Sequence, residues 1–367
     1  MKEYFRFIQF SLGLDEGKSF LSSKALEGFD WDAFYRFAKK QALVGVVFEG
    51  IQRLPKEFAP HQDLLMTWFG HSQRIHQRNI LLNEATSQIY KKVKAEGLRC
   101  CILKGQGNAL MYPNPHSRTP GDVDVWVNAG REEIRKLSKL LAGDNGSIGE
   151  ESLNHIELKV NGIAVELHST PAIMNNPLHN CRLQKWLRRN ADLQFSNVVS
   201  LPDDTGVVAI PTSTFNVVYQ LFHLYHHCFY EGIGLRQIID YYFVINSLPQ
   251  RALMNTDFSA LQRELKHFGL PKFVGAVMYV LHKVLGLSEE KMIAPMDEKR
   301  GRMLLNEILQ GGNFGLHDER YAFGHGILGH NLQRLFRDFR LAKFYPCEAL
   351  SEPVFRLWHL LWRLIHR

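Results

Sequence analysis

The sequence predicts an α+β protein, with a small mixed α/β module set between two helical regions. Three observations point there. Apolar residues recur at helical spacing through the first hundred residues, the texture changes to short alternating segments at Leu98, and helical spacing returns from Pro211. The expected division is a helical region over 1–97, a core over 98–210 and a second helical region over 211–367.

A chain of 367 residues has room for two or three domains and at least one sizeable core. Its 45% hydrophobic and 22% charged residues argue against broad disorder. The net charge of +7 fits anionic partners such as nucleotide phosphates, nucleic acid or an acidic membrane surface, without choosing among them. Five cysteines at 100, 101, 181, 228 and 347 lack C-x-x-C spacing, which argues against a disulfide framework and a zinc ribbon. Reduced thiols of a cytoplasmic protein are the simplest reading. The first ten residues lack an apolar signal region, and the longest apolar run, Phe273 to Leu281, is too short to span a membrane.

In chain order, helices are expected over Trp31–Ala38, Leu43–Leu54 and about His61–Glu96, with Pro55, Pro60 and Gly97 as punctuation. Cys100–Leu103 reads as a short buried strand, followed by the turn Lys104-Gly-Gln-Gly107 and a brief helix through Met111. Residues 112–121 form a loop rich in Pro, Asn and Ser. Val123, Val125 and Val127 alternate with Asp122, Asp124 and Trp126, which is strand periodicity. A helix over Arg131–Leu141 and a loop come next. The segments His155–Val160 and Ile163–His168 flank Asn161-Gly162, the strongest local signal for a hairpin. Further helices are expected over 213–229, 235–248, 259–287, 298–309, 328–344 and 353–366.

The chemistry starts from Asp122 and Asp124. On a strand, Asp-x-Asp puts both carboxylates on one face. Such a pair is stable mainly with a cation between them, and Mg²⁺ takes oxygen ligands of this kind. Alone the pattern is common and often no more than a solvated strand edge. The hairpin adds to it. Counting outward from a two-residue turn sets Glu157 opposite Glu166 and His155 opposite His168, all on one face, with six apolar residues on the other. Glu166 is therefore the candidate third carboxylate, as metal ligand or as base toward an acceptor. Lys104 and Gly105 lie where a strand turns into a helix, which suits phosphate, and Arg118 in the loop is placed to reach a triphosphate.

Taken together, this order of strand, glycine turn, short helix, Asp-x-Asp strand and later carboxylate strand resembles the polymerase-β-like nucleotidyltransferase superfold. Leu103-Lys-Gly105, Tyr112-Pro113, Arg118, Gly121-Asp-Val-Asp124 and Val165-Glu-Leu-His168 are similar to a largely uncharacterised bacterial family within it. So are the helix after Pro211 and the segment Gly234–Asp240. The resemblance implies a small mixed β-sheet nucleotidyltransferase core. It also implies Asp122, Asp124 and Glu166 as catalytic ligands of one Mg²⁺ ion or two, with Gly105 and its neighbours at the phosphates of an NTP. Other members of the superfold carry Gly-Ser at the turn. Here Gly105 is followed by Gln106, so the serine's contact falls to Gln106, the backbone or Lys104.

His223 and His227 are spaced for a metal on one helix face, but the apolar residues around them favour a structural role. His168, His226, Arg236 and Asp240 are candidates for an acceptor site. In the C-terminal segment, Arg356, His359, Arg363 and His366 form a narrow stripe beside a wide apolar surface that includes Trp358, Leu361, Trp362 and Ile365. Such a helix ordinarily packs on the body of the protein, and peripheral membrane contact or a dimer seam through 353–367 is the sharper alternative.

The activity expected is transfer of an NMP group from an NTP, ATP first, to a hydroxyl or amine of a small molecule, sugar or protein, with release of pyrophosphate. A catalytically inactive nucleotide-binding or regulatory module on the same fold is the alternative. Nucleic acid as partner is disfavoured, because no basic stripe with interleaved aromatics is present.

Overall fold

The computed structural model describes residues 1–14, 26–144, 146–249, 256–318, 320 and 327–365. The N-terminal helices are α1 (Lys2–Ser11), α2 (Trp31–Lys40), α3 (Val44–Ile51) and α4 (Gln62–Ala95). Asp30 caps α2 by accepting a hydrogen bond from the Ala33 amide at 2.8 Å. At the far end of α4, Gly97 takes φ +74° and lets the chain turn into the sheet.

Five strands then form one sheet: β1 (Cys100–Leu103), β2 (Val123–Val127), β3 (Ser147–Glu151), β4 (His155–Val160) and β5 (Ile163–His168). Their spatial order is β1-β2-β5-β4-β3. β2 pairs parallel with β5, whereas the other pairs are antiparallel, so the sheet is mixed. Short helix α5 (Gly105–Ala109) follows β1, and α6 (Arg131–Ala142) begins the crossover from β2. The hairpin register is the one counted from the sequence, with Glu157 opposite Glu166 and His155 opposite His168. Asn161 and Gly162, at φ +49° and +77°, supply the two left-handed residues of a type I′ turn.

The valines of β2, Ile102 and the apolar side of the hairpin pack with Ile134, Leu137 and Leu141 of α6 and with Leu82, Ile89 and Val93 of α4. The opposite face carries Asp124, Trp126, Glu166 and His168. One end of that face is closed by aromatic packing, with Trp126 stacked on Phe215 at 5.8 Å. Its other end is open.

Beyond the sheet lie α7 (Pro177–Ser196), the ribbon of β6 (Val198–Ser200) and β7 (Val207–Ala209), then α8 (Ser213–Tyr230), α9 (Leu235–Asn246), α10 (Thr256–His267), α11 (Pro271–Leu285), α12 (Glu298–Gly311), α13 (Ile327–Ala342) and α14 (Pro346–Ile365). N-terminal and C-terminal helices share one core. Gln41 joins them through buried bonds to the Ile308 carbonyl at 3.0 Å and the Leu235 amide at 2.9 Å.

Some expectations need correction. The helix expected over 259–287 is two, divided where Gly269 takes φ +75° and Pro271 opens the next helix. β3, α7 and the β6–β7 ribbon were not expected, and β3 is an exposed edge strand with one apolar side chain to betray it. The last helix starts at Pro346, not Pro353, and its faces are reversed. Glu348 and Glu352 are buried, while Leu350, Val354, Leu357 and Leu361 are more than half exposed. The side chains of Arg363 and His366, part of the expected basic stripe, lie outside the described residues.

Candidate metal and nucleotide site

β2 places Asp124 on the open face, and the parallel register sets it beside Glu166 of β5. Asp122 enters from the loop just before β2. One oxygen from each of Asp122, Asp124 and Glu166 lies within 4.8 Å of the others. Asp124 is almost fully buried and meets two cationic groups, Lys104 Nζ at 3.0 Å and His168 Nε2 at 2.9 Å. His168 also meets Glu166 at 3.1 Å.

These contacts set the charges. Burial opposes a charge on His168, but its hydrogen bonds to Asp124 and Glu166 more than offset that and raise it to about 9. Burial likewise pushes Glu166 up, yet His168 and Lys104 hold it down at about 2. Lys104 is raised despite its burial, chiefly by Asp124. Its backbone has φ +49° and ψ −134°, a conformation that glycine normally occupies. Gly105 follows at φ +33°, and a Cβ there would stand 3.4 Å from the Asp122 carbonyl oxygen. The turn thus brings the α5 entrance up against the carboxylate strand.

Two hollows meet at Lys104, Asp122 and His223. The smaller, about 30 Å³, is bordered by Gly105, Arg118, Arg236 and Asp240. Arg118 donates from Nε and Nη2 to the two Asp240 oxygens, each at 2.7 Å, and the Tyr112 hydroxyl donates to the same carboxylate at 2.7 Å. Arg118 Nη1 is left without a hydrogen-bond partner among the described residues. Arg236 donates to the Thr119 carbonyl at 2.9 Å, and burial together with Arg118's like charge lowers it to about 10.

The larger hollow, about 450 Å³, lies beyond Glu166 and is lined by His168, His223, His226, Glu231 and Phe314 among others. Burial holds His226 down at about 3 and His223 well below its usual range, so both rings are neutral at pH 7.

A sequence model described as an uncharacterised nucleotidyltransferase matches residues 27–286, more than half of the chain. The chain belongs to that nucleotidyltransferase family. Among curated proteins, none matches it. A solved antigenic nucleotidyltransferase-like protein from Paracoccidioides brasiliensis is 16% identical, covering 60% of this chain and 96% of its own, at a TM-score of 0.34.

In this family member the residues singled out from sequence fall into three groups. Asp122, Asp124, Glu166, His168 and Lys104 converge. Arg118, Arg236 and Asp240 stand together beside Gly105 in the smaller hollow, apart from Glu166 and His168, which line the larger one. His226 lines the larger hollow as well. Gln106 needs correction: its side chain points away from the cleft to α4, where Nε2 meets Asn83 Oδ1 at 2.5 Å. A second residue of a helix faces the neighbour behind it here, not the turn in front. His223 and His227, read as structural, border the larger hollow. Their i, i+4 spacing was the signal, but no third ligand joins them among the described residues. Glu231 and Phe314 carried no sequence signal.

Proposed function

We propose that the protein transfers a nucleoside monophosphate from a nucleoside triphosphate, with ATP as the expected donor, to a hydroxyl or amine, releasing pyrophosphate. The observation that carries this is the convergence of three carboxylate oxygens within 4.8 Å beside a cleft whose smaller lobe is lined by Lys104, Arg118 and Arg236 as well as by Asp240. Three hard oxygen donors with the repulsion of like charges fit Mg²⁺, held by Asp122, Asp124 and Glu166. Mg²⁺ bound there supplies charge neutralisation for an in-line displacement at the α-phosphorus. In that displacement the acceptor's oxygen or nitrogen forms the new bond to phosphorus, and the bond to the bridging oxygen breaks as pyrophosphate leaves. Lys104, Arg118 and Arg236 supply positive charge for the phosphates. Glu166, ionised down to about pH 2, suits ligand binding better than proton abstraction.

The test is release of pyrophosphate from ATP with Mg²⁺ over a panel of hydroxyl and amine acceptors. Asp122→Asn with Asp124→Asn should abolish it and leave circular dichroism unchanged. Undiminished turnover in that variant would refute the site. The second reading is a nucleotide-binding or regulatory module, favoured by the way Lys104 and His168 already neutralise Asp124. Tight binding of Mg·ATP with no turnover against any acceptor would establish it instead.

A further inference from the structure

Helix α14 lies with its polar side inward and an uncharged apolar side outward. Both of its ends are anchored. Near its start Glu348 accepts a hydrogen bond from the Asn175 amide at 2.7 Å, and near its end Trp362 lies under the Arg131 guanidinium at 4.1 Å. Between them Glu352, 2% exposed, holds Arg356 at 2.6 Å. Rolling the apolar side inward would break both anchors.

The outward side is regular. Leu350, Val354, Leu357 and Leu361 are 53–70% exposed and succeed one another at intervals of four, three and four residues. Trp358 and Leu360 flank them, each about half exposed. At about 100° per residue these six side chains fill an arc of roughly 160°, and no charged residue between Pro346 and Trp362 falls within it. Phe336 and Phe339 of the adjoining α13 are exposed as well, at 46% and 69%. Together the eight side chains present apolar surface on the order of 800 Å², against roughly 300–600 Å² for the largest patch of a typical monomer. Each partner in a stable interface contributes about that larger area.

The chemistry of the face identifies its occupant. A contact between two copies of one chain uses the same patch twice, so the patch must complement itself. An uncharged apolar stripe does, and intervals of four and three are those at which like helices mesh their side chains. A membrane surface calls for basic residues beside the stripe. From Pro346 to Trp362 the sole lysine or arginine is Arg356, drawn inward by Glu352.

We propose that the protein is a homodimer in which α14 packs against α14 of a second copy, with Leu350, Val354, Leu357 and Leu361 as the seam. The seam lies outside the monomer's own core, so its loss separates the copies and leaves the fold of each standing. None of its residues lines the hollows at Lys104, so the test does not depend on transfer activity.

Sedimentation equilibrium of the full-length chain at micromolar concentration should give twice the monomer mass. Val354→Glu with Leu361→Glu should raise the dissociation constant about a hundredfold or more, with circular dichroism unchanged, because pairing would bury unpartnered charge. The milder Leu357→Ser with Leu361→Ser should raise it about tenfold and leave the dilute monomer as stable as before. Leu140→Glu with Leu193→Glu, at exposed leucines elsewhere, should leave association as it is in the native protein. A native chain still monomeric at about 100 µM, or a dimer indifferent to the seam substitutions, would overturn the proposal. A monomer that sediments with anionic phospholipid vesicles, and no longer does so with the two glutamates, would give the face to a membrane instead.

Discussion

Asp240→Ala should be among the most damaging single substitutions outside the carboxylate centre. Asp240 sits on α9 and is 4% exposed. Its carboxylate accepts two hydrogen bonds from Arg118 and one from Tyr112, all at 2.7 Å. Arg118 itself is 4% exposed, so truncating Asp240 leaves a buried guanidinium without its hydrogen-bonded counter-ion and a buried hydroxyl without its acceptor. Breaking a buried ion pair from one side costs about 3–5 kcal/mol, and the orphaned hydroxyl places this case toward the upper end. Against a typical total of about 5–15 kcal/mol that is a large share. Urea denaturation followed by circular dichroism would register it as a lower midpoint at unchanged slope. The decisive control is Arg118→Met with Asp240→Leu, which removes both charges and should restore most of the loss. A single-variant cost below about 1 kcal/mol, or a double variant as weak as the single, would refute the reasoning. The pH dependence has a definite sign. Burial alone would raise the carboxyl's pKa, but Arg118 holds it below its ordinary value. The pair therefore stabilises fully above the unfolded value of about 3.9 and is lost as pH falls through the depressed native one. Asp240→Ala should flatten the native protein's acid-side loss of stability.

Gln106→Ala should lower stability by about 1–3 kcal/mol by orphaning Asn83, while Mg·ATP affinity measured by calorimetry stays within twofold of native. Lost affinity at full stability would return Gln106 to the phosphates. On α14, Leu357→Ser with Leu361→Ser should change stability by less than about 0.5 kcal/mol per site, because both side chains are more than half exposed. Glu352→Ala, which strips a 2.6 Å partner from Arg356, should cost about 1–3 kcal/mol in the same denaturation assay, and equal effects from the two faces would contradict the reversed orientation.

What was legible in the sequence was local. The Asn161-Gly162 turn dictates the hairpin register, and with it the shared face of Glu157, Glu166, His155 and His168. The alternation Asp122-Val-Asp124-Val-Trp126 dictates which side of β2 carries charge. What was not legible depends on distance along the chain. Arg118 and Asp240 are 122 residues apart, and no spacing rule links a loop arginine to a helix aspartate. Gln106 was assigned to phosphate by its place after Gly105, but α4 behind it offers two buried asparagines, and a buried amide goes where its hydrogen bonds are. The reversed faces of α14 escaped for a related reason. Composition gives the two stripes of that helix, whereas the buried Asn175 amide, donating to Glu348 at 2.7 Å, decides which stripe turns inward.

The expectation that Asp122→Asn with Asp124→Asn leaves the fold intact follows from the charge balance of the centre. Three carboxylates with oxygens within 4.8 Å would repel one another and strain the β2–β5 pairing if nothing compensated them. Compensation is built into the chain. Lys104 is held toward Asp124 by a turn with an unfavourable positive φ, and His168 lies between Asp124 and Glu166. Backbone strain of this kind persists only where the surroundings enforce it, and here the ion pair does so. Removing charge from Asp122 and Asp124 therefore relieves repulsion among carboxylates while weakening the hold on Lys104, and the two effects oppose each other. The same balance bears on binding. Under the proposed function, phosphates arriving at Gly105 would compete with Asp124 for Lys104, and a cation arriving at Asp124 would free Lys104 for the phosphates. The two events favour each other through one shared side chain. In Lys104→Met that coupling should vanish, so that Mg²⁺ no longer strengthens nucleotide binding beyond its own charge. Calorimetric titration of ATP with and without Mg²⁺ would show a smaller ratio of affinities than in the native protein, and an unchanged ratio would remove Lys104 from the exchange.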